Sequence, residues 1–334
     1  MCIKSNMNIG PAVAIAYSMP AAPFAVFFLN IDRRGDRRVA TWQALQEFGL
    51  DAALVTRVPA LDGRGLWRNG TLASMCAGAV TPVALGTVSP TRYVLGLRMT
   101  AGAAALLATT HNLLNSLAVS SGIGTRPSHT ICTFVSRPSV ALILDDDARL
   151  ASGTSASEVQ QILVTAAAAA NAADCATTVP NLRAAAKDGD GMSDPPWGQW
   201  DVLYLGYHGG FRGRPADLNR MRAFNVSFTG RAPSDSSVFE SARPANVVRP
   251  VRRRRDDGHI FGTFAYVVRI SSAAKLAQAV FPASMQLDSA LAQANREGRV
   301  RLLAVERRLI VSVPSRPEDT DIQQLPAASR HRYT

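Results

Sequence analysis

Three consecutive carboxylates, Asp145, Asp146 and Asp147, end the apolar run "VALIL" in the stretch "VALILDDDARL", Val140 to Leu150. Adjacent carboxylates repel, and each resists ionisation unless a cation shares the site. On an extended strand Asp145 and Asp147 point to one side, where their hard oxygens suit Mg²⁺ or Mn²⁺. Asp146 points to the other side, toward a sugar hydroxyl or a backbone turn. The plainer alternative is an acidic strand exit satisfied by water or by Arg149. Further along, Asp288 in "MQLDSAL" is a candidate general base or an N-cap for the helix "SALAQANREG". Asp201 in "WDVLYLG" reads as an acid that orients a loop at a strand start. Near the first strand end, Asn30, Asp32, Arg33 and Arg37 combine amide, carboxylate and guanidinium groups able to read a nucleoside and neutralise phosphate. The alternative for Arg33, Arg34, Arg37 and Arg38 is a solvated helix start.

These groups need a scaffold. "FAVFFLNI" (Phe24 to Ile31) reads as a buried strand, followed by a helix with Val39, Trp42, Leu45 and Phe48 on one face and Gly49 at its end. "AALVTRVPALDG" (Ala52 to Gly63) supplies a second strand and turn. "TAGAAALLATTHNLLNSLAV" (residues 100–119) is a helix by composition and period. "SVALILDDD" is a near-continuous buried strand, the form taken by central strands of parallel sheets. Ser157 with Gln160 resembles a capping box for the next helix. "WDVLYLGYH" and "HIFGTFAYVVRI" are strands and "SSAAKLAQAVF" a helix. The alternation predicts an α/β protein with a Rossmann-like, mostly parallel sheet flanked by helices, ligands lying at the carboxyl ends of the strands.

Composition narrows the class. The 334 residues, 47% hydrophobic and 18% charged, describe a folded chain with room for a large core. The balance of 36 Lys+Arg against 25 Asp+Glu gives a net charge of +11, which favours phosphate-bearing partners. Arg252 to Arg255 form a basic run, but no aromatics interleave for base stacking, so a nucleic-acid binder is not expected. Cys2, Cys76, Cys132 and Cys175 are too scattered for a zinc knuckle or a dithiol motif. No uninterrupted apolar run is long enough to span a bilayer. These features point to a cytoplasmic protein, with a secretory signal in "IGPAVAIAYSMPAAPFA" as the alternative.

Read in order, several stretches resemble family 25 glycosyltransferases, the lipopolysaccharide-biosynthesis and procollagen-galactosyltransferase group. They are "FFLNIDRRGDRRVATWQALQEFG", "VPALDG", "MTAGAAALLATTH", "ALILDDDARL", "WDVLYLG", "GTFAYVVRISSAAKLAQAVFPASMQLD" and "PSRPEDTDIQ". The resemblance covers most of the chain. It implies a GT-A type fold over residues 23–314, with a 1–22 extension, a mobile Arg-rich excursion around 209–258 and a 315–334 tail. It implies an inverting transferase that moves galactose or glucose from a nucleotide donor, UDP-linked in the family's manner, to a hydroxyl of a glycan or protein. Carried over by position, Asp145 and Asp147 hold Mn²⁺ or Mg²⁺, and Asp146 lies near the donor sugar or ribose. Asn30, Asp32, Arg33 and Arg37, with Ala60, Asp62 and Gly63, line the nucleotide side. Asp288 and His111 are the catalytic candidates. The chain departs from the family pattern in three places. Asp145 stands where the family has Glu. Thr110-His111 stands for its Ser-His, with Ser128-His129 a competing match. The acidic pair of the family's helix start is absent from "TAGAAAL". A GT-A scaffold without transfer activity is the alternative those departures suggest.

Overall fold

The computed structural model describes residues 23–89, 99–120, 138–178, 200–209, 224–225, 247–251 and 260–313. The chain opens with β1 (Phe24–Ile31), α1 (Gly35–Glu47) and β2 (Val55–Ala60). Short helices α2 (Gly63–Arg68), α3 (Leu72–Met75) and α4 (Pro82–Gly86) lead to the long α5 (Ala101–Ser120). The strand β3 (Val140–Asp145), the short β4 (Ala148–Leu150) and the helix α6 (Ala156–Thr178) follow. The remainder supplies β5 (Val202–Gly209), β6 (Phe224–Asn225), β7 (Val247–Pro250), β8 (Ile260–Arg269), α7 (Ala273–Val280), α8 (Leu287–Arg296), β9 (Leu302–Val305) and β10 (Ile310–Ser312).

The described strands form one sheet in the order β2-β1-β3-β8-β5-β9-β7-β6 and a separate β4–β10 ribbon. Pairing directions make β1, β2, β3, β5, β6 and β9 run one way, with β7 and β8 reversed. The fold is therefore α/β, with a mostly parallel sheet covered by helices on both faces. β8 lies between two strands of opposite sense, pairing Leu144 with Ala265 on one side and Tyr204 with Tyr266 on the other. Its first residues consequently sit at the carboxyl ends of β3 and β5. Register shifts occur there, around Gly206 and His208, as bulges that re-aim side chains.

Period-two alternation divides the core. Phe27, Ile143, Tyr204, Tyr266 and Val268 face one side with Leu107, Leu114, Leu276 and Leu291. Phe28, Leu142, Leu144 and Val267 face the other with Leu45, Phe48, Ile162 and Leu163. α1 closes at Phe48, whose N–H reaches Ala44 O at 2.9 Å, and Gly49 follows at φ +64°, a conformation glycine adopts without strain. The cap of α6 differs from the expected Ser157–Gln160 pair. Ser155 N donates to Glu158 Oε2 at 2.7 Å and Glu158 N to Ser155 Oγ at 3.3 Å. A carboxylate holds a helix N-terminal N–H better than an amide does, which moves the box two residues earlier. Gln160 instead donates to Gly49 O and ties α6 to the end of α1.

The expected 1–22 extension, the 315–334 tail and the Arg252–Arg255 run lie outside the described residues, as does most of the 209–258 excursion. Cys76 is a buried free thiol, pushed up to about 11 by desolvation. Among the described residues no helix is long and apolar enough to cross a membrane.

Candidate functional site

β3 delivers the acidic triplet to the carboxyl edge of the sheet. Its alternation continues through the turn, so Asp145 follows Ala141 and Ile143 onto the α5 face while Asp146 turns toward α1. Asp146 is buried, and all its acceptors are engaged inside the protein. Asn30 Nδ2 donates to Oδ2 at 2.8 Å, Arg37 to Oδ1 at 3.0 Å, and Thr41 Oγ1 to the backbone oxygen at 2.7 Å. Asn30 is itself a hub at 1% exposure. It also donates to Arg34 O at 3.2 Å and accepts from Arg57 Nε at 3.2 Å. Arg57 reaches onward to Asn30 O and pairs with Asp32, whose side chain is 78% exposed. The groups expected to touch a nucleotide directly therefore form, in part, a buttress: Asn30 and Arg37 fix Asp146 and so fix the turn.

Asp145 and Asp147 present the opposite electrostatics. Burial, then the Asp147 charge, then Asp146 push Asp145 well above the usual carboxylate range, with Arg37 pulling weakly the other way. No hydrogen bond reaches its carboxylate among the described residues. Burial likewise raises Asp147, against the lowering effects of a hydrogen bond from Ser312 Oγ to Oδ2 at 2.9 Å and of Arg37. Two carboxylates that repel each other at a half-buried strand end are each favoured in ionised form by nearby positive charge. Among the described residues no third His, Cys, Asp or Glu joins them as a ligand set. Two carboxylate oxygen donors are the hard ligand type that Mg²⁺ and Mn²⁺ take.

Beside Asp145 on the same face stand two buried tyrosines, Tyr266 and Tyr204, with ring centroids 6.5 Å apart. Desolvation and then the Asp145 charge raise Tyr266; desolvation and then the Asp288 charge raise Tyr204. Thr110 lies close to the Tyr266 hydroxyl, yet neither oxygen completes a well-formed hydrogen bond to protein. Asp288 comes from the first turn of α8, one residue past the helix start, so it is not the N-cap; Gln286 is. Its Oδ2 accepts from Gly262 N at 3.0 Å and its Oδ1 from Ser289 N at 2.6 Å. Gly262 belongs to the reversed strand β8, which is how residues so distant in sequence meet at one edge.

On the β2 side, Asp62 caps α2, accepting from Arg64 N at 3.1 Å and from Arg33 Nε at 2.8 Å. Burial pulls Asp62 upward, but the Arg33 contact and the helix N–H groups outweigh it and its pKa is lowered. Ala60 ends β2 opposite Ile31. Gly63 is buried, and a Cβ there would lie 2.1 Å from Ala101 O, so its lack of a side chain permits the contact of α2 with α5. His111 packs its ring on Phe281 at 4.8 Å and shares a 3.2 Å hydrogen bond with Asn115; burial lowers its pKa. It is Thr110, one residue earlier, that faces the tyrosines. His129 lies outside the described residues. Asp201 accepts from Lys275 at 2.6 Å and from Arg301 N at 2.8 Å, holding the start of β5.

Sequence reasoning missed Arg57, Thr41 and Ser312. Arg57 carried a signal, a lone cation inside an otherwise apolar strand. Thr41 and Ser312 carried none, since a hydroxyl on a helix face or strand end is ordinary. Compared with known proteins, the chain matches no protein-family model and no curated protein.

Proposed function

We propose that the chain is an inverting, metal-dependent glycosyltransferase of GT-A type. It uses a UDP-linked galactose or glucose and a hydroxyl acceptor on a glycan or protein. The observation that carries the reading is the pair Asp145 and Asp147: desolvated, mutually repelling, and placed at the carboxyl edge of a strand in a mostly parallel sheet. The family 25 resemblance supports it, because the stretches that carry it supply the buttress, the acidic turn and Asp288.

Asp145 and Asp147 would hold the cation, which when bound supplies charge to stabilise a departing diphosphate. The chain's own residues do the rest. Asn30, Arg37 and Thr41 keep the acidic turn rigid through Asp146. Arg33 and Asp62 shape the nucleotide side, with Asp32 at its exposed rim. Asp288 has its carboxylate orientation fixed by the Gly262 and Ser289 N–H groups, and accepts the proton of the acceptor hydroxyl. His111 is given no proton transfer, since its ring is occupied with Phe281 and Asn115.

The test is thermal stability of the full chain against UDP-, GDP- and CMP-sugars, with and without Mn²⁺, for wild type and Asp147→Ala. A UDP-sugar should raise Tm only with Mn²⁺ and only in wild type; at a ligand concentration of about 100 Kd the gain is roughly 2.7 kcal/mol. Slow Mn²⁺-dependent hydrolysis of the same donor should accompany it. No shift and no hydrolysis with any donor would leave a GT-A scaffold without transfer activity.

A further inference from the structure

β10 crosses the carboxyl edge of the sheet as a strap. It pairs antiparallel with β4, Ser312 opposite Ala148 and Ile310 opposite Leu150. Leu309 N donates to Leu205 O at 3.0 Å, and Ala151 N donates to Leu309 O at 2.9 Å. Leu309 and Ile310 are fully buried. A Cβ on Gly206 would stand 2.7 Å from Ile310 O, so β5 and the strap approach as closely as backbone allows. The strap is thus anchored on β5 at Leu309 and Ile310, and Ser312 follows two residues later, paired with Ala148. From that fixed position it grips Asp147 twice. Its Oγ donates to Oδ2 at 2.9 Å, and the next residue, Val313, donates its N–H to Asp147 O at 3.0 Å. The alternative acceptor for the hydroxyl, Val313 O, is farther, at 3.5 Å.

Two like charges relieve repulsion by rotating apart, and a side chain at a turn has the freedom to do so. Asp145 has no such tether among the described residues. We propose that Ser312 is a positioning residue of the cation site: its hydroxyl holds Asp147 Oδ2 so that Oδ1 stays turned toward the space shared with Asp145. The inference rests on the cation reading given above. It makes the strap part of the site's supporting shell, and the strength of cation binding a property of a hydroxyl donor more than 160 residues away in sequence, at a separation of 165.

The experiment titrates Mn²⁺ into the full chain and follows the free-ion signal by electron paramagnetic resonance. Wild type should bind, and Asp145→Asn should not. Ser312→Ala should bind about tenfold more weakly, the size of effect typical of partners behind metal ligands. Ser312→Thr, which restores a hydroxyl and suits a strand, should return to within about twofold of wild type. Melting of each variant without metal checks that the strap stays folded. Ser312→Ala with wild-type Mn²⁺ affinity, or Ser312→Thr as weak as Ser312→Ala, overturns the positioning role and leaves the cation site standing. A wild type that takes up no Mn²⁺ overturns the cation reading, and the positioning role with it.

Discussion

At the scale of single residues, the three adjacent aspartates have separate duties. Asp146 is spent on structure; Asp145 and Asp147 are kept short of partners. The consequence is a pH dependence with a definite sign. Burial and its acidic neighbours raise the folded pKa of Asp145, so the folded chain holds that proton more tightly than the unfolded chain does. Between the ordinary carboxylate pKa and the raised folded value, stability therefore increases as pH falls, and it is lost as pH climbs through the folded value. Melting of the metal-free protein should show Tm rising as buffers go from neutral toward the ordinary carboxylate range, and saturating Mn²⁺ should flatten the curve. Asp145→Asn should shrink the slope, leaving the part that belongs to Asp147, and stabilise the metal-free protein at neutral pH by about 1 kcal/mol or more, roughly 2–4 °C in Tm. A variant that melts lower than wild type would contradict this. Asn30→Ala has the opposite effect. It strips a donor from Asp146 and an acceptor from Arg57, and should cost about 1–3 kcal/mol in chemical denaturation. Its donor-dependent thermal shift should shrink as well, because Asp146 then keeps, of the three side chains named above, Arg37 and Thr41.

At the scale of elements, close packing decides more than propensity. Ala-rich α5 lets α2 come near, and Gly63 occupies the point of closest approach, with backbone rather than a flexible side chain in the way of any Cβ. Gly63→Ala must push α2 off α5, at a cost of about 1–3 kcal/mol or more. Because Asp62 caps that helix, the Arg33–Asp62 pair should loosen with it, visible as faster amide exchange at Arg64. The long elements were legible in the sequence. The strand at Phe24–Ile31, the helix ending before Gly49 and the apolar strand before the acidic triplet follow from periodicity and terminators alone. The pieces that complete the site were not. Asn30, Arg37 and Thr41 lie 116, 109 and 105 residues from Asp146, so their meeting is a property of sheet order, which local pattern does not encode. The ribbon strands β4 and β10 have three residues each, too few for any alternation to register. Asp288 had two local readings, base or cap; the bond to Gly262, from a strand running against its neighbours, is what distinguishes it from a cap.

At the scale of the whole molecule, one edge of the sheet gathers every group named in the proposal, and the reversed strand β8 is what closes that edge. The same strand has a consequence for how the molecule comes to exist. Without β8 the described strands fall into two separate groups, β2-β1-β3 and β5-β9-β7-β6, each presenting an unsatisfied edge of backbone N–H and C=O groups. β3 ends at Asp145 and β8 begins at Ile260, so the first group waits for more than a hundred residues of chain before its exposed edge is covered. Exposed edges recruit other chains, and pairings between distant segments form slowly. Refolding should therefore show a slow phase whose aggregated fraction grows with protein concentration. A fragment ending at Gly209 should aggregate even though it carries the complete acidic turn, whereas one extended through β9 should stay in solution longer. Supplying residues 260–269 as a separate peptide should delay aggregation of the shorter fragment, which makes the keystone of the site also the chain's own guard against misassembly.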